Sequence, residues 1–303
     1  MTIDAHHHVW DLAVRDQPWL DQPQLAPIRR NFLLSDLEPE AEAQGVTQTV
    51  VVQTVTEPEE TPELLALAEA SDLVAAVVGW VDLEAAGAAD ALAALQELPG
   101  GDRLVSIRHP VLIEADPEWL ARPSVLRGLA AVAAAGLCYD VVVMPGQLRG
   151  AVVAAAALPE LTFVLDHLGN PDVEGWAGGP GSGAAGESWA RTIADFAALP
   201  NTVAKLSGVL GESAPPSADP VAGADDTSIA HIRPYYEIAL AHFGPQRLMY
   251  GSDWPVSTIN VGYDGVYAAA KSLTANLSPS EKAAIFSDTA RSAYRLGATP
   301  RSR

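Results

Sequence analysis

From end to end the chain alternates short β-rich apolar runs with longer Ala/Leu/Glu stretches, and this alternation constrains the fold more than any other feature. Eight such runs fall at 3–9, 47–55, 74–81, 103–108, 138–144, 161–167, 202–208 and 247–253. Helix-like stretches lie between them near 59–71, 86–97, 124–135, 147–157, 187–198, 228–243 and 262–275. A last helix opens at Ser278-Pro279-Ser280-Glu281, a capping box with proline in the first turn. A closed barrel and a doubly wound open sheet both fit such alternation. Eight β/α units in about 250 residues favour the barrel. The expected architecture is therefore α/β, a single (β/α)8 barrel domain over residues 1–303. No Gly-rich phosphate loop joins a strand to a helix, so a nucleotide-binding reading is weak.

Composition removes several function classes. Lys+Arg number 18 against 38 Asp+Glu, a formal charge of −20, which disfavours nucleic acid and anionic membrane surfaces as partners. One cysteine, Cys138, rules out an internal disulfide and any Cys-rich zinc module. The N-terminus has no basic start followed by an apolar run, and no stretch reads as a membrane span, so a cytoplasmic location is expected. Self-association into a homo-oligomer is left open. Three connections, 11–46, 168–187 and 209–227, exceed the length of simple joints. Each follows the C-terminal end of a strand, where barrel enzymes build their sites, and reads either as a pocket wall or as a tolerated surface insertion.

Strand ends carry the chemistry. Strict alternation puts Asp4, His6 and His8 on one face of the first strand, with His7 on the other. The resulting H-x-H pair fits a divalent-metal site or, equally, a polar turn with locally bonded imidazoles. His167 ends the sixth strand, and Asp253 ends the eighth as the strongest candidate general base. Convergence of these four groups on one barrel mouth makes either a metal site or a water-activating acid/base site.

The blocks Ile3-Asp4-Ala5-His6-His7-His8-Val9-Trp10, Val78-Gly79-Trp80-Val81-Asp82-Leu83, Ser106-Ile107-Arg108-His109, Asp166-His167-Leu168-Gly169-Asn170-Pro171, Lys205-Leu206-Ser207-Gly208 and Gly251-Ser252-Asp253-Trp254-Pro255 follow one another along nearly the whole chain. Together they resemble the amidohydrolase superfamily, and more narrowly its lactonase branch, which opens lactones of sugar acids and related ring-cleavage products. The resemblance implies a (β/α)8 barrel with His6, His8, His167 and Asp253 at the metal-site positions. Strand four ends in Arg108-His109, where binuclear members carry a bridging Lys or Glu. The resemblance therefore implies one divalent ion, with zinc favoured, or none. The decarboxylase branch tends to carry Glu in place of the first His of the H-x-H pair, so retention of His6 disfavours the alternative of a nonoxidative decarboxylase on the same barrel.

The expected activity is hydrolysis of a small-molecule lactone, with Asp253 as base and acid and with His167 and Arg108 as its catalytic companions. Arg108 and Lys205 are candidate substrate contacts, each open to the alternative of pairing with an acidic neighbour. Gln53 and Trp80 are expected to line the pocket, and Trp10 and Trp254 to form apolar walls near its mouth. Few of the basic residues occupy inward strand positions, which favours a neutral sugar-acid lactone over an anionic one.

Overall fold

In the computed structural model, residues 1–173, 180, 183–209 and 226–297 are described. Most of the 168–187 and 209–227 connections, read from the sequence either as pocket walls or as tolerated surface insertions, lies outside them. The eight strands are β1 Thr2–His7, β2 Val46–Val52, β3 Val74–Gly79, β4 Leu104–Pro110, β5 Cys138–Val142, β6 Phe163–Leu165, β7 Thr202–Leu206 and β8 Leu248–Tyr250. They form one parallel sheet in the order β1 to β8. Its two edges meet at a parallel bridge between His7 and Trp254, where the His8 amide donates to the Trp254 carbonyl at 2.7 Å and the Asp253 amide to that of His6 at 2.8 Å. The fold is the (β/α)8 barrel that eight β/α units require.

Helices α2 Glu60–Glu69, α3 Ala88–Gln96, α4 Pro123–Ala134, α5 Leu148–Ala157, α6 Gly183–Ala197, α7 Asp226–Phe243 and α8 Tyr263–Leu273 follow strands two to eight. Their apolar stripes face the barrel, as Val125, Leu129 and Val132 do on α4 and Trp189, Ile193 and Phe196 on α6. The 11–46 connection, read from the sequence as a loop, contains helix α1 Leu34–Ala43 and two 3-10 turns. An internal Pro39 and only two buried apolar positions, Leu37 and Ala41, leave this helix a weak periodic signal. The last helical stretch is broken: α9 Pro279–Ala283 and α10 Thr289–Ala293 flank a π turn, Ala284–Asp288. Tyr294, just beyond α10, packs against the barrel floor.

That floor is a compact apolar layer. Ile3, Ala5, Val50, Val52, Ala76, Val78, Cys138, Val164 and Met249 fill it from the strands, and Ala290, Tyr294 and Leu296 close it from below. Val51, Val77, Tyr139, Val141, Leu165 and Tyr250, their outward neighbours on the same strands, pack instead under the helices. Strand alternation thus produces two apolar layers separated by the sheet. Among the described residues, no helix is long and apolar enough to cross a membrane.

Candidate active site

Above the floor the inward positions turn polar. Asp140 on β5 accepts hydrogen bonds from Ser106 Oγ at 2.6 Å, Lys205 Nζ at 2.5 Å and Tyr294 Oη at 2.7 Å. Lys205 and Asp140 are both fully buried, and the lysine also lies 3.0 Å from Asp166 Oδ1 and 3.2 Å from His6 Nδ1. All three of its protons thus face groups of the protein.

Next comes Arg108. Its Nε and Nη2 donate to Gln53 Oε1 at 3.1 and 2.8 Å, Nη2 donates to the Gln53 carbonyl at 2.5 Å, and Nη1 to Asp166 Oδ2 at 3.1 Å. Four of its five N–H groups are thereby fixed. The remaining Nη1 proton faces His6 Nε2 at the long distance of 3.4 Å. Gln53 is fully buried and acts on the site through Arg108.

At the mouth, His6, His167 and Asp253 each bring one ligand atom within 4.8 Å of the others. His6 Nε2 and His8 Nε2 each stand 3.6 Å from Asp253 Oδ1, and His167 Nε2 stands 3.9 Å from it. The two Nε2 atoms of His6 and His8 are 3.1 Å apart. On the far sides of the rings, His8 Nδ1 meets the Val52 carbonyl at 2.7 Å, His167 Nδ1 meets Ser207 Oγ at 3.0 Å, and His6 Nδ1 lies between Asp166 and Lys205. Partners on the outer nitrogens aim the inner ones at a common point, the usual way a protein orients metal-binding imidazoles.

Electrostatics favours the same state. Burial lowers the pKa of His6 well below its usual value, pushes His8 down to about 3 and lowers His167, so all three rings are neutral and offer lone pairs at pH 7. Burial also pushes the Asp253 carboxyl above the usual carboxylate value, against the pull of His167 and Arg108. Asp166 goes the other way. Burial raises its pKa, but Lys205, His6 and Arg108 outweigh burial and hold it well below the carboxylate range. Neutral imidazoles and a carboxylate oxygen, closely set and buried, form a donor set suited to one divalent ion such as zinc.

Two departures from strand alternation build this mouth. Between β1 and β2 the register slips, with Asp4 opposite Thr49 but His7 opposite Val51, so β1 carries one extra residue. Ile3 and Ala5 face the interior, and the bulge lets His6 face inward as well. Asp4, expected to share the face of His6, is instead turned to the β1–β8 seam. There it accepts from the His6 and Ser252 amides at 3.1 and 2.8 Å and from Tyr263 Oη at 3.1 Å. On β6, alternation from inward Val164 sends Asp166 in and would send His167 out. His167 takes φ +53°, a left-handed conformation uncommon for a side chain of this kind, and turns in too. Asp253 is left-handed as well, at φ +56°. Gly208 fits against this arrangement: its own φ is +72°, and a Cβ there would lie 2.4 Å from His167 Nδ1.

A sequence profile for amidohydrolases matches residues 3–296. This chain belongs to the amidohydrolase family. It is 34% identical over 299 residues to an L-fucono-1,5-lactonase of Burkholderia ambifaria, covering 97% of this chain and 95% of the relative. An L-fucono-1,5-lactonase of Burkholderia multivorans is 34% identical over 298 residues, with 98% and 96% covered. The crystal structure of an amidohydrolase from B. multivorans with bound zinc superposes with a TM-score of 0.86 at 33% identity, covering 98% of this chain and 99% of that one. As an amidohydrolase with a buried His/His/Asp group, the protein is an enzyme of the hydrolase class that acts on ester or lactone bonds.

The other candidates fall into place around this centre. Trp80 is half-buried and donates from Nε1 to His109 Nδ1 at 3.1 Å. Trp10 and Trp254, expected as pocket walls, are 4% and 1% exposed in a cluster with Leu20, Ile28, Phe32 and Tyr263 that anchors the 11–46 connection. Phe32 lies between them, with ring centroids 5.4 Å from each. Sequence reasoning assigned no role to Asp166, although it precedes His167 directly. Alternation allows only one of two neighbouring residues to face inward, and the left-handed turn at His167 suspends that rule.

Proposed function

We propose that this enzyme hydrolyses the ring ester of a small, neutral sugar-acid lactone. The observation that carries the reading is the near-full-length likeness to two L-fucono-1,5-lactonases. His6, His8, His167 and Asp253 are the proposed ligands, and a divalent ion held by them would supply Lewis acidity and make water more acidic. Asp253 takes the proton of the water that attacks the carbonyl carbon. It returns that proton to the ring oxygen as the C–O bond breaks. Arg108 offers its one loosely held N–H to the carbonyl oxygen as negative charge develops there.

A neutral substrate agrees with the state of the cations. Arg108 is tied to Gln53 and Asp166, and Lys205 to Asp140 and Asp166. Arg29 pairs with Asp21 at 2.8 Å, and Arg30 lies 3.7 Å over the Phe32 ring. Trp80 is the proposed stacking surface for the apolar face of the sugar ring.

The test is a pH-indicator screen of aldonolactones, L-fucono-1,5-lactone among them, with carbon dioxide measured in parallel. One proton per turnover near neutral pH and no carbon dioxide is the expected result; release of carbon dioxide would replace this reading with a decarboxylase. Asp253→Asn is expected to lower kcat by about 10²–10⁴-fold, the usual contribution of a general base. Because a base works only when ionised, kcat/KM is expected to fall at acid pH as Asp253 takes up a proton.

A further inference from the structure

His6 stands between two partners that require opposite tautomers. Its Nδ1 lies 3.2 Å from Lys205 Nζ, which as an ammonium only donates, and 3.3 Å from Asp166 Oδ1, which as a carboxylate only accepts. Its Nε2 faces the Nε2 of His8 at 3.1 Å. His8 carries its own ring proton on Nδ1, where it bonds the Val52 carbonyl, so the His8 Nε2 is a bare lone pair.

A neutral imidazole has a single N–H to place. With the proton on Nε2, Lys205 donates to Nδ1 at 3.2 Å and His6 donates to His8 at 3.1 Å, and only the longer 3.4 Å contact with Arg108 Nη1 sets donor against donor. No lone pair of His6 then faces the ligand cluster. Asp166 Oδ1, fully buried, is then left with the Lys205 ammonium 3.0 Å away and no well-aligned hydrogen bond. With the proton on Nδ1, Asp166 Oδ1 gains a second N–H, 3.3 Å away, beside the Lys205 ammonium. The Nε2 atoms of His6 and His8 then present two lone pairs to each other at 3.1 Å, an arrangement that the long 3.4 Å contact from Arg108 Nη1 relieves poorly and a bound cation would relieve fully. Arg108 holds the other oxygen of Asp166 at 3.1 Å, so the carboxylate cannot turn away from either choice.

We infer that Asp166 is the positioning residue that selects the metal-binding tautomer of His6 in competition with Lys205, so that the ring proton sits on Nε2 without the ion and on Nδ1 with it. The inference rests on the proposed ligand role of His6. In the exchange the ring loses one proton at Nε2 to solvent and gains one at Nδ1 from solvent. Its charge is unchanged, and Lys205 keeps its ion pairs with Asp140 and Asp166.

Nitrogen-15 NMR of the histidine-labelled parent protein, metal-free and with zinc added, reads the tautomer directly. Zinc affinities of the parent, Asp166→Asn and Lys205→Met, measured by chelator competition, read its energetic consequence. The metal-free protein is expected to show His6 protonated on Nε2 and the zinc-loaded protein on Nδ1. Asp166→Asn is expected to weaken zinc binding about 10- to 100-fold, the usual effect of losing a ligand's outer partner. Lys205→Met, which removes the competing donor, is expected to bind zinc at least as tightly as the parent. An unchanged His6 tautomer in zinc-bound protein overturns the inference alone, and so does a Lys205→Met loss equal to that of Asp166→Asn, as a merely structural role would give. Absence of zinc binding by the parent overturns the ligand site and the inference with it. The NMR arm needs no variant, so a substitution that fails to fold does not remove the test.

Discussion

The floor of the barrel and its mouth are built on the same eight strands by opposite means. In the floor, side chains keep alternating in and out through the register slips at Thr2/Ile3, Thr49/Val50 and Val77/Val78, and small or branched apolar side chains from β1, β2, β3, β5, β6 and β8 meet in one layer. At the mouth the strands abandon alternation: β1 bulges before His7, and His167, Leu168 and Asp253 take positive φ. Kept alternation gives packing, whereas left-handed backbone brings neighbours such as Asp166 and His167 to the same side. The lesson is that this site costs backbone strain, on the order of 1–3 kcal/mol for each such residue, which the packed floor must outweigh.

Between the two lies the charged layer of Asp140, Lys205 and Asp166, and disrupting it gives the largest effect on stability. Asp140→Asn leaves Lys205 buried with one carboxylate in place of two, while Ser106 and Tyr294 keep an acceptor. Removing one partner of a buried ion pair costs about 3–5 kcal/mol. Urea unfolding is expected to show a loss in that range. A loss below about 1 kcal/mol would mean that the layer contributes no more than a surface pair and belongs with the mouth.

This contrast also explains what the sequence made legible. Eight strands, their order and the barrel were readable because apolar runs and Ala-rich stretches obey fixed periods. His6, His167 and Asp253 were readable as polar groups at strand ends. Asp4 was misplaced because a bulge carries no periodic signature, and one added residue exchanges the faces of a strand. Asp166 drew no role from the sequence, and alternation by itself gives no reason for it to share a side with His167. Trp10 and Trp254 show a different limit: an indole near a strand end serves a pocket wall or a buried cluster equally well, and Phe32, distant in sequence from Trp254, decides for the cluster.

Gly208→Ala tests the mouth without touching a charge. The methyl group would meet the His167 ring, and a left-handed alanine adds roughly 1–2 kcal/mol of backbone strain. Displacing a reacting group by about 1 Å can cost on the order of 100-fold in rate. The expected outcome is therefore a drop in kcat of about that size with unfolding free energy lowered by about 2–5 kcal/mol, the strain together with overpacking against the ring. A stability loss with kcat unchanged would show that Gly208 serves the packing of β7 rather than the placement of His167.

The smallest expected effect concerns substrate charge, and it separates the mouth from the field of the whole molecule. Twenty excess negative charges repel anions at low ionic strength, and a pocket that welcomed an anion would need free cations to offset them. The cations nearest the mouth are already neutralised: Arg108 shares Asp166 with Lys205, and Lys205 also holds Asp140. What Arg108 retains is one N–H, enough for a carbonyl oxygen but not for the paired hydrogen bonds by which guanidinium recognises a carboxylate. A neutral lactone is therefore expected to exceed a matched anionic one in kcat/KM, by a margin that narrows as salt is added. Arg108→Met is expected to lower both rates without reversing their order. A tenfold preference for the anionic lactone, about 1.4 kcal/mol in the transition state, that disappears in Arg108→Met would show that the guanidinium is free to bind a substrate carboxylate.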